Sequence, residues 1–102
     1  MSVNVVTKEN FEELIKTDKR ILLDFYADWC GPCRMVSPLV DKIAEEHPEY
    51  VVGKINVDEQ PELAAAFAVQ SIPTLVVLEN GKIVNQGMGA MPLPKILALL
   101  ED

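Results

Sequence analysis

Apolar residues along this chain fall into two rhythms, short unbroken runs and stripes at helical spacing, and the two alternate almost from end to end. Val3 to Val6 reads as a short strand. Thr7 is placed to cap a helix reaching about Lys16, with Glu9 in its positive first turn and Phe11, Leu14 and Ile15 on one face. Ile21 to Ala27 is an apolar run broken only by Asp24, the pattern of a central strand covered on both faces. Gly31 to about Glu46 is a longer helix with Met35, Val36, Leu39, Val40 and Ile43 as its stripe, and Pro38, which removes one backbone donor, predicts a kink. Val51 to Val57 is another strand, followed by a short helix from Pro61 to about Phe67 with proline in its first turn. Thr74 to Glu79 and Lys82 to Gln86 flank Asn80-Gly81, a pair that supplies the two positive φ angles of a tight type I′ hairpin. Pro94 to Leu100 is the last helix, with Ile96, Leu97 and Leu100 turned to the sheet; Pro92 stands where a Ser or Asp cap is wanted, so a frayed first turn is expected.

This alternation predicts an α/β fold in three layers, a five-stranded mixed sheet between four helices. Right-handed crossovers place the turn after the second strand at the carboxyl edge of the sheet, where ligands normally meet such folds.

At 102 residues the chain is expected to be one domain, 1–102, because a division would leave two parts too small to fold. A composition of 49% hydrophobic and 25% charged residues is ordinary globular usage. The formal charge of -7 repels phosphate backbones and anionic membrane surfaces, so neither nucleic acid nor membrane is an expected partner. Met1-Ser2-Val3-Asn4 carries no basic segment before an apolar run, and no stretch approaches the roughly 20 apolar residues that span a bilayer. The expected location is therefore the cytoplasm.

The two cysteines, Cys30 and Cys33, sit three positions apart, too close for their bridge to stabilise a fold much by chain entropy. They read as reactive. Trp29-Cys30-Gly31-Pro32-Cys33 falls where the central strand ends and the long helix begins, so the open N–H groups and dipole of that helix favour thiolate over thiol. Cys30, outermost in the turn, is the expected nucleophile toward a substrate disulfide; Cys33, one turn deeper, resolves the mixed disulfide. A zinc site would need two more ligands, and only His47, at the far end of the long helix, is left. No bound metal or cofactor is expected, although a cluster shared between two chains stays open. Asp24, inside an apolar strand, is expected to be desolvated, with a raised pKa that suits it to move a proton.

The segments Asp24-Phe25-Tyr26-Ala27-Asp28-Trp29-Cys30-Gly31-Pro32-Cys33, Lys54-Ile55-Asn56-Val57-Asp58, Ser71-Ile72-Pro73-Thr74, Asn80-Gly81 and Gly89-Ala90, in this order and spacing, resemble the thioredoxin family over nearly the whole chain. The resemblance implies the thioredoxin fold and disulfide reductase activity. It makes Asp24 the acid that takes the proton from Cys33, and Lys54 the partner of that acid; Lys54 also reads as a lysine whose stem merely covers apolar surface. It makes Ile72-Pro73 a cis-proline segment facing the cysteines, free to bond an extended substrate as an added strand. Trp29, Gly31, Pro32, Val57, Ile72, Pro73, Gly89 and Ala90 would then rim an apolar substrate groove, although Val57 reads at least as readily as core. Phe11, Phe25, Phe67, Met35 and Leu39 read as core. Two departures from the common family pattern stand out: Tyr26 where many relatives have tryptophan, and Met91-Pro92-Leu93-Pro94 at the start of the last helix.

The expected partners are disulfide-containing target proteins and a thioredoxin reductase or equivalent electron donor, with the chain acting as a monomer. The Gly31-Pro32 dipeptide resembles the reducing members of the family. Two rival readings remain: a redox-independent binding subunit that uses the groove around Cys30, and a metal or cluster protein.

Overall fold

The structure, a computed structural model, describes residues 3–101. Strands β1 (Val3–Val5), β2 (Ile21–Tyr26), β3 (Val51–Asn56), β4 (Thr74–Glu79) and β5 (Lys82–Met88) form one sheet in the order β1-β3-β2-β4-β5. The first three neighbours run parallel, and β4 and β5 are antiparallel. Four helices, α1 (Phe11–Leu14), α2 (Gly31–Glu46), α3 (Pro61–Ala66) and α4 (Leu93–Glu101), cover the two faces. The period of two along the central strand decides what each face meets. Ile21, Leu23 and Phe25 pack with Ile55, Val76 and Leu78 against Phe11 and Leu14 of α1 and Leu63 of α3. Leu22 packs with Val52, Leu75 and Val77 against Val36, Val40 and Ile43 of α2 and Ile96 and Leu100 of α4. The outer strands β1 and β5 are largely exposed, while β2 and β4 are buried almost throughout.

The hairpin forms as the sequence predicts, with φ of 54° at Asn80 and 79° at Gly81. Its second strand runs on to Met88, two residues past Gln86, pairing Thr74 with Met88. The first helix is much shorter than expected. Thr7 and Asn10 bond each other reciprocally, the Asn10 carboxamide oxygen accepting from the Thr7 amide at 2.8 Å and the Thr7 hydroxyl from the Asn10 amide at 3.2 Å. Asn10 also donates to the Val5 carbonyl, so this local lock holds residues 8–10 as a turn, and regular helix begins only at Phe11. α2 runs unbroken through Pro38. α4 begins at Leu93, and the Pro92 carbonyl accepts from Lys95 and Ile96. Pro92 thus serves as a cap through its backbone, and Pro94 occupies a first-turn position whose N–H would have no helical partner.

One core assignment is overturned. Met35 is 68% exposed, because the buried stripe of α2 follows Cys33, Val36, Val40, Ile43 and Ala44, and Met35 points away from it; Leu39 is only partly buried at its edge.

Candidate active site

The Cys30 turn stands where β2 ends and α2 begins. The Cys30 amide reaches back to the Ala27 carbonyl, and Cys30 is the N-cap of α2 in an extended conformation. Its sulfur accepts a hydrogen bond from the Cys33 amide at 3.2 Å, the place a serine or aspartate oxygen takes in an ordinary cap. Cys30 and Cys33 are joined in a disulfide, their Cα atoms 5.3 Å apart. In this oxidised state both residues are almost covered, Cys30 at 4% and Cys33 at 3%, so the expected contrast between a reachable and a hidden sulfur is not a difference in exposure. It is a difference in place: Cys30 lies outside the helix, between exposed Trp29, Gly31 and Pro32, and Cys33 lies inside its first turn.

Asp24 is 1% exposed, and its Oδ1 has no hydrogen-bond partner among the described residues. Burial pushes its carboxyl from the ordinary 3.8 up to about 7; the Lys54 ammonium draws it down and the Asp41 carboxylate pushes it further up. Lys54 is the register partner of Asp24 across β2 and β3. Its ammonium nevertheless goes elsewhere, donating to Ser37 Oγ at 2.6 Å and pairing with Asp41 Oδ1 at 2.7 Å. Lys54 therefore acts on Asp24 through its field and not by contact.

The Ile72-Pro73 peptide is cis, and the Ile72 carbonyl oxygen stands 3.8 Å from Cys30 Sγ. Trp29, Val57 and Ile72 line one depression of about 190 Å³ together with Ala64, Val69 and Ser71. Ala90 lines separate depressions with Met91 and Pro92. Gly89, with φ of 84°, is tied to the segment through its amide, which donates to the Pro73 carbonyl at 2.8 Å. Trp29, Val57 and Ile72 thus share one hollow, and Ala90 lines two others. Val57 is half-buried and packs against both the Phe25 cluster and the cysteines, so its two readings coexist.

The thioredoxin family model matches residues 2–102. A thioredoxin of Alicyclobacillus acidocaldarius is 45% identical over 98 residues, 95% of this chain and 93% of that one. A thioredoxin of Porphyra purpurea is 50% identical over 94 residues, 90% and 88% of the two chains. Among solved structures, a mutant thioredoxin from Halobacterium salinarum superposes with a TM-score of 0.91 at 36% identity, covering 98% of this chain and 88% of its own. The chain belongs to the thioredoxin family. With that family come thiol-disulfide oxidoreductase activity and, in particular, protein-disulfide reduction at the Cys30-Cys33 pair; a redox-independent binding role is not favoured. Among the described residues no helix is long and apolar enough to cross a membrane.

Three residues take contacts around this site that the sequence alone does not assign. Asp58 accepts from the Trp29 indole at 2.9 Å and so fixes a ring that is 67% exposed. Ser37 and Asp41 hold Lys54. The i, i+4, i+8 spacing of Cys33, Ser37 and Asp41 was a readable signal for the last two, since such residues share one side of a helix. His47, at the C-terminal end of α2, lies against the Glu49 carboxylate at 3.0 Å.

Proposed function

We propose that the reduced protein works by a two-step exchange with assigned roles for Cys30, Cys33, Asp24 and Lys54. The Cys30 thiolate attacks one sulfur of a target disulfide; the target S–S bond breaks, a Cys30–target bond forms, and the other target sulfur leaves as thiolate and takes a proton. The Cys33 thiol then gives its proton to the Asp24 carboxylate and attacks Cys30 Sγ. The Cys30–target bond breaks, the second target sulfur leaves reduced, and the Cys30-Cys33 disulfide closes. The observation that carries this reading is the cap: the Cys33 amide and the positive pole of α2 converge on Cys30 Sγ, where they stabilise negative charge. Asp24, with its pKa near 7, is partly ionised at neutrality and able both to take and to release the proton. Lys54 tunes that carboxyl by its field.

Target segments dock on Trp29, Gly31, Pro32, Val57, Ile72, Pro73, Gly89 and Ala90, with the Ile72 backbone beside Cys30 supporting an added strand. The chain is a single domain acting as a monomer in a reducing cytoplasm, and a thioredoxin reductase or equivalent donor restores the dithiol. The exchange itself uses no bound cofactor. Trapping tests the roles: with insulin as target, Cys33→Ser protein accumulates insulin bonded through Cys30, and Cys30→Ser protein accumulates none. Mixed disulfide formed readily through Cys33 in the Cys30→Ser protein would overturn the assignment.

A further inference from the structure

The Lys54 side chain departs from β3 directly beside Asp24, on the face that carries α2, yet its ammonium lies against Ser37 and Asp41 of that helix. Asp24 meanwhile keeps one oxygen without a partner among the described residues. An ammonium in contact with a buried carboxylate holds it ionised and makes it a weak proton acceptor. We infer that Ser37 and Asp41 are positioning residues: by clamping the Lys54 ammonium to α2 they keep it off Asp24 and leave that carboxylate basic enough to take the Cys33 proton. This rests on the reading of Asp24 as the proton acceptor.

The row Cys33, Ser37, Asp41 rises along one side of α2, so thiol, hydroxyl and carboxylate are ordered from the helix mouth inward along the helix. A depression of about 190 Å³ lined by Cys33, Ser37, Tyr26 and Arg34 opens beside this row. The titratable groups whose charge couples to Asp24 are Lys54 on β3, Asp41 on α2 and Tyr26 on β2, with Cys33 on the same side of α2 as Asp41. On β4 the register partner of Asp24 is apolar Leu75, which packs with Ile96 and Leu100 of α4. Asp41 has two effects of the same sign: it restrains the cation, and its own charge opposes ionisation of Asp24.

The test is an NMR titration of the Asp24 side-chain carboxyl carbon in the reduced protein, beside the pH profile of mixed-disulfide resolution in single turnover. Asp41→Asn is expected to lower the Asp24 midpoint by roughly half to one pH unit, with the kinetic profile moving alongside. Ser37→Ala moves it the same way by less, and Asp41→Glu restores it. A midpoint that stays put or rises in Ser37→Ala overturns the clamp, whatever Asp41→Asn does, because loss of the Asp41 charge alone lowers the midpoint. Resolution by Asp24→Asn protein as fast as by the unaltered chain at pH 7 overturns the acceptor reading, and with it the clamp's part in catalysis, whatever the midpoint does.

Discussion

The two faces of the sheet are built from the same strands but carry different loads. Toward α1 and α3, β2 presents Ile21, Leu23 and Phe25, which pack in an apolar cluster with Phe67 edge-on to Phe11 at 5.8 Å and tilted on Phe25 at 5.4 Å, and the buried polar partner of Phe25 on this side, Thr74, is uncharged and donates to the Ser71 carbonyl. Toward α2 and α4 it presents Leu22 and then Asp24, and the apolar cluster gives way to an acid, a clamped lysine and the disulfide. The first face is organised for stability. The second accepts a buried ionisable group that favours folding only while protonated, and it does so beside the dithiol, where a movable proton is useful.

The largest expected effect breaks the apolar face. Phe25→Ala should lower unfolding free energy by about 3 to 5 kcal/mol, since the ring fills space between α1, α3 and the sheet. Urea titrations at pH 5 and pH 9 should show nearly the same loss, because no titrating group is involved.

Asp24→Asn should do the reverse, with a strong dependence on pH. The folded-state pKa of about 7 lies above the ordinary 3.8, so between these values the folded chain holds a proton that the unfolded chain has lost. Stability of the unaltered protein therefore falls as pH rises from about 4 through 7, and then levels off. At about 1.4 kcal/mol for each pH unit the full penalty is a few kcal/mol. Asn should relieve it, so the variant gains on the unaltered protein from about pH 4 through pH 7 and keeps that gain above it; a gap that does not widen over that window would mean that Asp24 is ionised at low pH in the folded state. The same variant should slow resolution of the mixed disulfide on the order of 10²-fold at pH 7.

Gly53→Ala probes the apolar face again, more gently. A Cβ there would lie 2.5 Å from Val6 Cγ2, with Leu23 and Leu14 also in reach, and a valine rotamer has little room to yield. A loss of about 1 to 3 kcal/mol in thermal or urea unfolding is expected. Smallest of all, Trp29→Phe removes the indole bond to Asp58 at an exposed position outside both faces and should change stability by no more than about 1 kcal/mol.

Much of the architecture was legible because its signals are local. The buried run of β2, the Asn80-Gly81 hairpin and the cysteine spacing at a strand-to-helix junction each follow from a few neighbouring residues. The first helix misled because Asn10, an unremarkable residue in a helical pattern, uses its side chain to bond Thr7 and Val5. The second helix misled at Met35 because its apolar residues outnumber what one face accommodates.

By itself the sequence determined the alternation of strands and helices, the hairpin, the dithiol and the presence of an acid in the central strand, all of which depend on periodicity and turn chemistry within a dozen residues. Only the tertiary structure decided that Lys54 turns to Ser37 and Asp41, that Asp58 holds Trp29, that Met35 faces outward and that both cysteines are covered in the disulfide. Those outcomes depend on the register of β3 against β2 and on the rotation of α2 over the sheet. Both are fixed by how apolar side chains distant in sequence fit together, a property that no local pattern contains.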